Sequence, residues 1–286
     1  VAAAGTDLAN YAVSYVGNTA STITPYAVSL TGGRVYDATT AVNASVLTIG
    51  TLVGSEGLSL SGAGVLANKN VGTGKVVGLG SLNLVNGTGL ASNYTLVGGS
   101  ILADVTPASL TVTTSDVVKT YDGNLSVAGA TVSPTPVVKA GSNTQLFGTD
   151  TLNGGSYAFT NVNAGTGNRT VTVGSVTVND GFAGGNYNVS YVDNTTSTIN
   201  RAAITVSTSN VIKTYDATTS ALGTPVTILG SLFNNVSNGN ITDSLSGGTY
   251  AFVGTNVSRA GGVSSGSVLS DKVVTARDVT VNDGNR

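Results

Sequence analysis

The sequence predicts an all-β protein, a tandem array of small immunoglobulin-like β-sandwiches stacked end to end in a rod. β-grasp-like repeats are the alternative. Three observations lead there. Lys119–Thr120–Tyr121–Asp122–Gly123 recurs as Lys213–Thr214–Tyr215–Asp216–Ala217 and, more loosely, as Arg34–Val35–Tyr36–Asp37–Ala38. The Tyr-Asp pairs lie 85 and 94 residues apart, and Asn10–Tyr11, Asn93–Tyr94 and Asn186–Tyr187 keep nearly the same step. Two independent marks with one period indicate tandem copies, each long enough for a modest core. Short segments alternate aliphatic and hydroxyl residues with a period of two, and nothing sustains a helical apolar period. Finally, 39 of 286 residues are glycine and only 9% are charged, against about 25% in an average globular protein. That composition suits short strands joined by Gly/Asn/Asp turns and is too apolar for charge-driven disorder.

Each copy opens with a strand: Tyr26–Ala27–Val28–Ser29–Leu30, then Ala108–Ser109–Leu110–Thr111–Val112–Thr113, then Ala202–Ala203–Ile204–Thr205–Val206–Ser207. The Tyr-Asp turn follows, then a variable stretch in which short helical turns are expected near Gln145–Leu146–Phe147 or Ile228–Leu229–Gly230. Next come Tyr157–Ala158–Phe159 and Tyr250–Ala251–Phe252, each preceded by glycines. The turns Asn70–Val71–Gly72–Thr73–Gly74 and Asn163–Ala164–Gly165–Thr166–Gly167 lead into Val-Thr-Val strands that end at Asn179–Asp180–Gly181 or Asn282–Asp283–Gly284. The copy closes on Tyr187–Asn188–Val189–Ser190–Tyr191, matched by Tyr11–Ala12–Val13–Ser14–Tyr15, and on a Thr/Ser-rich strand ending at Ile23, Val105 or Ile199. Expected core positions are Leu110, Val112, Tyr121, Tyr157, Phe159, Val171, Val173, Tyr187, Val189 and Tyr191.

These marks divide the chain into closing strands of a preceding repeat (1–25), a first copy (26–107), a second (108–200) and a third lacking its closing strands (201–286). No Gly/Ser-rich or Pro-rich linker separates the copies, so hinge motion between them is expected to be small. Residues 1–25 have two readings. They are the end of a longer array cut at an arbitrary register, or a strand donor that completes the third copy of a neighbouring chain through Tyr11, Val13 and Tyr15.

The absences narrow the function. With no His, the commonest general base and metal ligand near neutral pH is missing, and with no Cys there is no disulfide framework or thiolate chemistry. A net charge of −2, with 12 scattered basic residues, offers no patch for nucleic acid. No apolar run is long enough to span a membrane, and Val1 opens without the charged segment of a signal peptide. No enzyme and no cofactor are expected.

The run of a Leu-Thr-Val strand, Lys-Thr-Tyr-Asp-Gly, Asn-x-Gly-Thr-Gly and Asn-Tyr-x-Val resembles the YDG-type repeats of large secreted bacterial haemagglutinin-like adhesins, relatives of the MBG repeats. The likeness covers essentially the whole chain and is clearest over 108–200. The first copy departs from it in having Arg34–Val35 before Tyr36, and two copies carry Ala in place of Gly after the Asp. The resemblance implies export to the bacterial surface or a secreted fibre, and a stalk or filament that carries an adhesive tip. Implied partners are neighbouring repeats or copies of the chain head to tail. Direct contact of the repeats with cell-surface glycans or host proteins is the alternative.

The remaining candidates read as structure. In Tyr36–Asp37, Tyr121–Asp122 and Tyr215–Asp216 the ring is expected at the core edge with its hydroxyl at the rim, while Asp bonds the backbone two residues on. Lys119 and Lys213 are expected to be solvated beside their turns. Asp180 and Asp283 are the nearest candidates for calcium, yet each also reads as a hairpin turn. Asn-x-Ser/Thr triplets at Asn93, Asn124, Asn188, Asn194, Asn235 and Asn256 are formal glycosylation acceptors. Gly184–Gly185 and Gly261–Gly262 lack the strand-to-helix context of a phosphate loop and read as turns.

Overall fold

The computed structural model describes residues 11–140, 145–235, 241–255 and 272–284. Asn10, Asn256, Gly261 and Gly262, singled out above, lie outside the described residues. The protein is almost entirely β. The helical segments among the described residues are two single 3-10 turns, Ala44–Val46 and Ala91–Asn93. Neither is where a helical turn was expected. Residues 145–147 are irregular, and Ile228 and Leu229 belong to the strand Pro225–Leu229, where β-branched neighbours favour extended backbone.

The chain divides into two compact units, Val1–Thr106 and Pro107–Arg286. The first unit is organised by a six-stranded mixed sheet in the order Ala41–Asn43, Ala63–Leu66, Gly72–Gly78, Ile101–Thr106, Leu30–Val35, Leu47–Ile49. Its opening and closing segments run in parallel: Tyr26 pairs with Tyr94, and Arg34 with Val105. Leu58–Ser61 and Asn83–Asn86 form a separate antiparallel pair. The core gathers Val28, Leu30, Tyr36, Val42, Leu66 and Val105.

The second unit repeats the scheme. Ala108–Thr114 lies between Pro136–Val138 and Tyr187–Tyr191, pairing antiparallel with the first and parallel with the second. Four strands form the other sheet, in the order Val118–Thr120, Asn194–Asn200, Gly165–Asn179, Thr151–Phe159. Lys119 pairs with Ile199 in parallel, the register that Arg34 and Val105 hold in the first unit. The sheets meet on Val117, Phe159, Val171 and Ile199, with Tyr121, Leu125, Val127 and Tyr157 packed around them.

Of the expected core, Leu110, Val112, Phe159, Val171, Val173 and Tyr187 are buried, while Tyr121, Tyr157 and Val189 are half-buried. Tyr191 is a correction: it is exposed at the end of its strand, and its hydroxyl accepts the Val176 amide at 3.1 Å. Glycines set two of the corners. Gly74 and Gly167 both adopt positive φ (58° and 63°), and their amides donate to Asp104 Oδ1 (2.7 Å) and Thr198 Oγ1 (2.9 Å) on the closing strand. Gly154 and Gly155 (φ 66° and 118°) kink the strand under Tyr157, whose hydroxyl donates to the Gly154 carbonyl at 2.6 Å. Gly247, Gly248 and Tyr250 repeat the device in the third copy.

That third copy, also in the second unit, is thinner. Thr205–Thr208 pairs with Pro225–Leu229, and Ser244–Phe252 with Val274–Asn282, each as a two-stranded sheet. Residues 211–213 are not a strand, although their counterparts Val117–Lys119 reach into one. In the second copy Val118–Thr120 takes its parallel hydrogen bonds from Thr198–Asn200, and among the described residues no counterpart of that strand pairs with the third copy. Phe252 and Val274 are accordingly only half-buried, where Phe159 and Val171 are fully covered.

Candidate functional site

The Tyr-Asp motif forms a cationic clasp. In the second copy the Lys119 side chain is 1% exposed, contrary to the expectation of a solvated lysine. Its Nζ donates to Asp122 Oδ1 (2.7 Å) and to the carbonyls of Asn124 (2.7 Å) and Ser126 (2.9 Å), and lies 5.4 Å from the Phe159 ring centroid. Pairing along the strand points Lys119 inward, and the turn then folds three oxygens over its ammonium. A buried ammonium requires such partners. Asp122 Oδ1 also accepts the Asn124 amide at 3.1 Å, two residues on. Gly123 has φ 75°, and Ala38 and Ala217 take the same left-handed conformation at φ 62° and 60°. The turn therefore favours glycine at this position and carries strain where alanine stands there.

The other copies repeat the clasp with altered parts. Arg34 Nη1 donates to Asp37 Oδ1 at 2.5 Å, and Asp37 accepts the Thr39 amide at 2.9 Å. Lys213 Nζ lies 2.7 Å from Asp216 Oδ1, donates to the carbonyls of Thr218 (3.1 Å) and Ser220 (2.8 Å), and sits 5.9 Å from the Phe252 ring. Its lysine is 21% exposed. The Lys213 ammonium, followed by the Thr218 amide and hydroxyl, holds the Asp216 carboxyl down to about 2. The tyrosines diverge: Tyr36 is fully buried, Tyr121 half-buried and Tyr215 59% exposed. Tyr215 thus departs from the expected core-edge position; among the described residues no closing strand covers it.

A second node recurs that the sequence reading missed. The tyrosines of the Asn93–Tyr94 and Asn186–Tyr187 marks each meet an acid from the variable stretch. Tyr187 donates to Asp150 Oδ2 at 2.7 Å, accepts the Phe147 amide at 2.8 Å and stacks on the Phe147 ring. Tyr94 donates to Glu56 and accepts the Val53 amide at 3.2 Å. The hydrogen bond to Glu56, ahead of desolvation, pushes the Tyr94 hydroxyl up. In the third copy Asp243 stands where Asp150 does, and Phe233 where Phe147 does. Asp243 Oδ2 takes the Phe233 amide directly at 3.3 Å, and Oδ1 accepts the Tyr121 hydroxyl at 3.2 Å. Burial, then the Asp243 charge, pushes Tyr121 up to about 12. The signal was present in the sequence as an acid two residues before a leucine: Glu56–Leu58, Asp150–Leu152, Asp243–Leu245.

The other candidates are engaged in structure. Asp180 is buried and accepts the amides of Phe182 (2.7 Å), Gly184 (2.9 Å) and Asn186 (3.0 Å). Burial pushes the Asp180 pKa up, but these amides outweigh it and hold the carboxyl below its usual range. Among the described residues no three acidic side chains gather as a metal site, and Asp180 and Asp283 have no such company. Asn194 is buried, not a surface acceptor: its Nδ2 donates to the Thr114 carbonyl (3.1 Å) and Asp116 Oδ1 (2.8 Å). Asn194 Oδ1 accepts the Ser197 hydroxyl at 2.8 Å, and Ser197 in turn accepts the Val117 amide at 2.9 Å. The Thr196 hydroxyl and then the Asn194 amide hold Asp116 below its ordinary value. Tyr11, Val13 and Tyr15 are exposed and lie in no strand. No described helix is long and apolar enough to cross a membrane.

Asn194 ties the closing strand of the second copy to Thr114 of its opening strand, Tyr187 and Tyr94 tie closing segments to an acid of the variable stretch, and the cationic clasp recurs in all three copies. Comparison with known proteins gives one family. No curated protein and no solved structure matches the chain. The YDG domain matches residues 18–101 and again 106–197, which is more than half of the sequence, and the chain therefore belongs to the YDG domain family.

Proposed function

We propose that the chain is a structural segment, a stalk or filament piece, of an extracellular bacterial adhesin or surface fibre that projects or links cells rather than catalysing. The observation that supports this reading best is the direction of the polar chemistry. Lys119, Asp150, Asp180 and Asn194 all spend their polar groups within the second copy, the cationic clasp recurs in all three copies and the tyrosine–acid bond in the first and second. A repeated unit stabilised in this way extends by addition of further copies. Spacing agrees: only Pro107 separates the strand Ile101–Thr106 from Ala108–Thr114.

Electron microscopy of recombinant arrays with increasing copy number tests the proposal, together with antibody labelling of intact cells that make the parent protein. The stalk reading expects threads whose length grows in proportion to copy number, and surface labelling. Compact particles of constant shape, or labelling confined to permeabilised cells, overturn it. Saturable binding of the isolated copies to a glycan would shift the reading to a recognition module.

A further inference from the structure

We infer that Tyr121 is a coupling residue between copies, carrying the packing of the second copy into the third and making the seam at Asn200–Arg201 a stiff joint. The Tyr-Asp motif divides its labour. Asp122 turns back on Lys119 and closes the turn of its own copy. Tyr121 serves two copies at once. Its ring packs against the second copy's cluster of Val117, Phe159, Val171 and Ile199. The same ring meets Phe233 of the third copy edge-on, with centroids 5.7 Å apart and planes at 82°. Its hydroxyl donates to Asp243 Oδ1 at 3.2 Å. The backbone is held at the seam itself. The Tyr121 amide donates at 2.9 Å to the carbonyl of Asn200, the last residue of the strand Asn194–Asn200, and Arg201 follows directly. Tyr36 has the same anchor inside the first unit: its amide donates at 2.8 Å to Thr106, which ends the strand Ile101–Thr106.

The third copy builds its half of the joint from its own backbone. The Asp243 amide donates to the Phe233 carbonyl at 2.9 Å, and the Phe233 amide donates to Asp243 Oδ2 at 3.3 Å. Antiparallel pairing of Asn234–Asn235 with Ile241–Thr242 holds the two residues side by side. Asp243 is buried, and a buried carboxylate requires donors; Oδ2 takes one from its own copy and Oδ1 takes one from the second. Phe147 and Asp150 repeat the local construction, with the Asp150 amide 3.1 Å from the Phe147 carbonyl, so the aromatic–acid pair belongs to the repeat. Among the described residues no sheet contains strands of both the second and third copies. Apart from the peptide link, the two copies are therefore coupled through side chains. An aromatic pair joined to a hydrogen bond is the nearest-neighbour interaction that makes successive repeats cooperative. That a stiff seam serves a stalk rests on the function proposed above, whereas the coupling is measured without it.

Two measurements on the full chain test this. The chain has no cysteine, so Thr177→Cys with Thr280→Cys, equivalent exposed positions of the two copies, places spin labels on either side of the seam. One narrow distance is expected in this labelled chain, and a broad distribution once Phe233→Ala is added. Native-state hydrogen exchange reads the energetics from the third-copy side, because Tyr121 also packs on its own core. Asp243→Ala and Phe233→Ala should each speed exchange at 118–126 in the second copy, by about tenfold when combined, the size expected of one aromatic pair plus one hydrogen bond. In a Tyr121→Phe chain, Asp243→Ala should add nothing at 118–126, because the hydroxyl it would release is already gone. Unchanged exchange at 118–126 in both third-copy variants overturns the inference, whether or not the third copy keeps its own protection at 274–282. So does an Asp243→Ala effect that is equal with and without the Tyr121 hydroxyl, or a broad distance distribution before Phe233→Ala is added. Failure here leaves the stalk reading to its own test of thread length and surface labelling, which a flexible seam does not alter.

Discussion

Lys119→Ala gives the sharpest check on the clasp, because the chain carries its own control in Lys213. In the second copy the lysine is 1% exposed and its ammonium has three oxygen partners within 2.9 Å. Alanine removes three buried methylenes, about 2.4 kcal/mol at ~0.8 each. It also strands the Asp122 carboxylate. Breaking a fully buried pair costs about 3–5 kcal/mol, but Asp122 is 30% exposed and rehydrates, so about 1–2 is the appropriate addition. The expected loss is therefore about 3.5–4.5 kcal/mol, and Lys119→Met, which keeps the stem, isolates the electrostatic part at about 1–2. Lys213→Ala acts on the same motif where both partners are wetter, 21% and 53% exposed, and exposed pairs contribute little. Its cost should be a small fraction of the other. A single unfolding free energy is not defined for a chain of several cooperative parts, so the assay is native-state hydrogen exchange over 118–126 and 151–173, with 213–220 and 244–252 for the control. Equal effects in the two copies, or a Lys119→Ala loss below about 1 kcal/mol, would refute the argument that burial turns this turn into a clasp.

Phe159→Ala should cost about 3–5 kcal/mol and unfold the second copy first, read as loss of exchange protection at Val171 and Ile199. Ala217→Gly should raise stability by about 0.5–1 kcal/mol, since alanine at φ 60° is strained, whereas Gly123→Ala should lower it by a similar amount; native-state hydrogen exchange over 213–220 and 118–126 decides the two. Asp180 has a folded pKa below its unfolded one, so its contribution is complete above the unfolded value of about 3.9 and fades as pH falls through the folded value. Asp180→Asn should therefore flatten the acid limb of a stability–pH profile. For Tyr121 the folded value is raised to about 12, so its contribution is complete below the unfolded value of about 10 and is lost as pH rises toward 12. In an ultraviolet titration Tyr121→Phe should remove a late tyrosinate step, and Asp243→Asn should move that step earlier.

Repetition and alternation were legible in the residues themselves. A strand's side chains point to opposite faces at every second position, so Leu110/Val112 and Val171/Val173 announced a buried face without any structure. The Tyr-Asp-Gly turn was also local: an Asp that bonds two residues on, and a third residue at positive φ, follow from side-chain length and the missing glycine Cβ. Strand order was not local. Nothing in residues 108–112 states that 187–191 lies beside them in parallel, because that pairing joins segments about 80 residues apart and depends on which backbone groups remain unsatisfied once the hairpins have formed.

The same physics explains where the sequence reading of side chains failed. Lys119 and Lys213 stand in nearly identical five-residue runs, and Tyr121 and Tyr215 likewise, yet one set is buried and the other is not. Asn194 resembles a glycan acceptor by its triplet and is a buried brace by its neighbours. Sequence by itself determined that this is an array of like β-units with Tyr-Asp turns. Tertiary structure alone decided which lysine is dry and which acid meets which tyrosine. Burial is a property of what packs alongside a residue, and those neighbours come from the far end of the repeat.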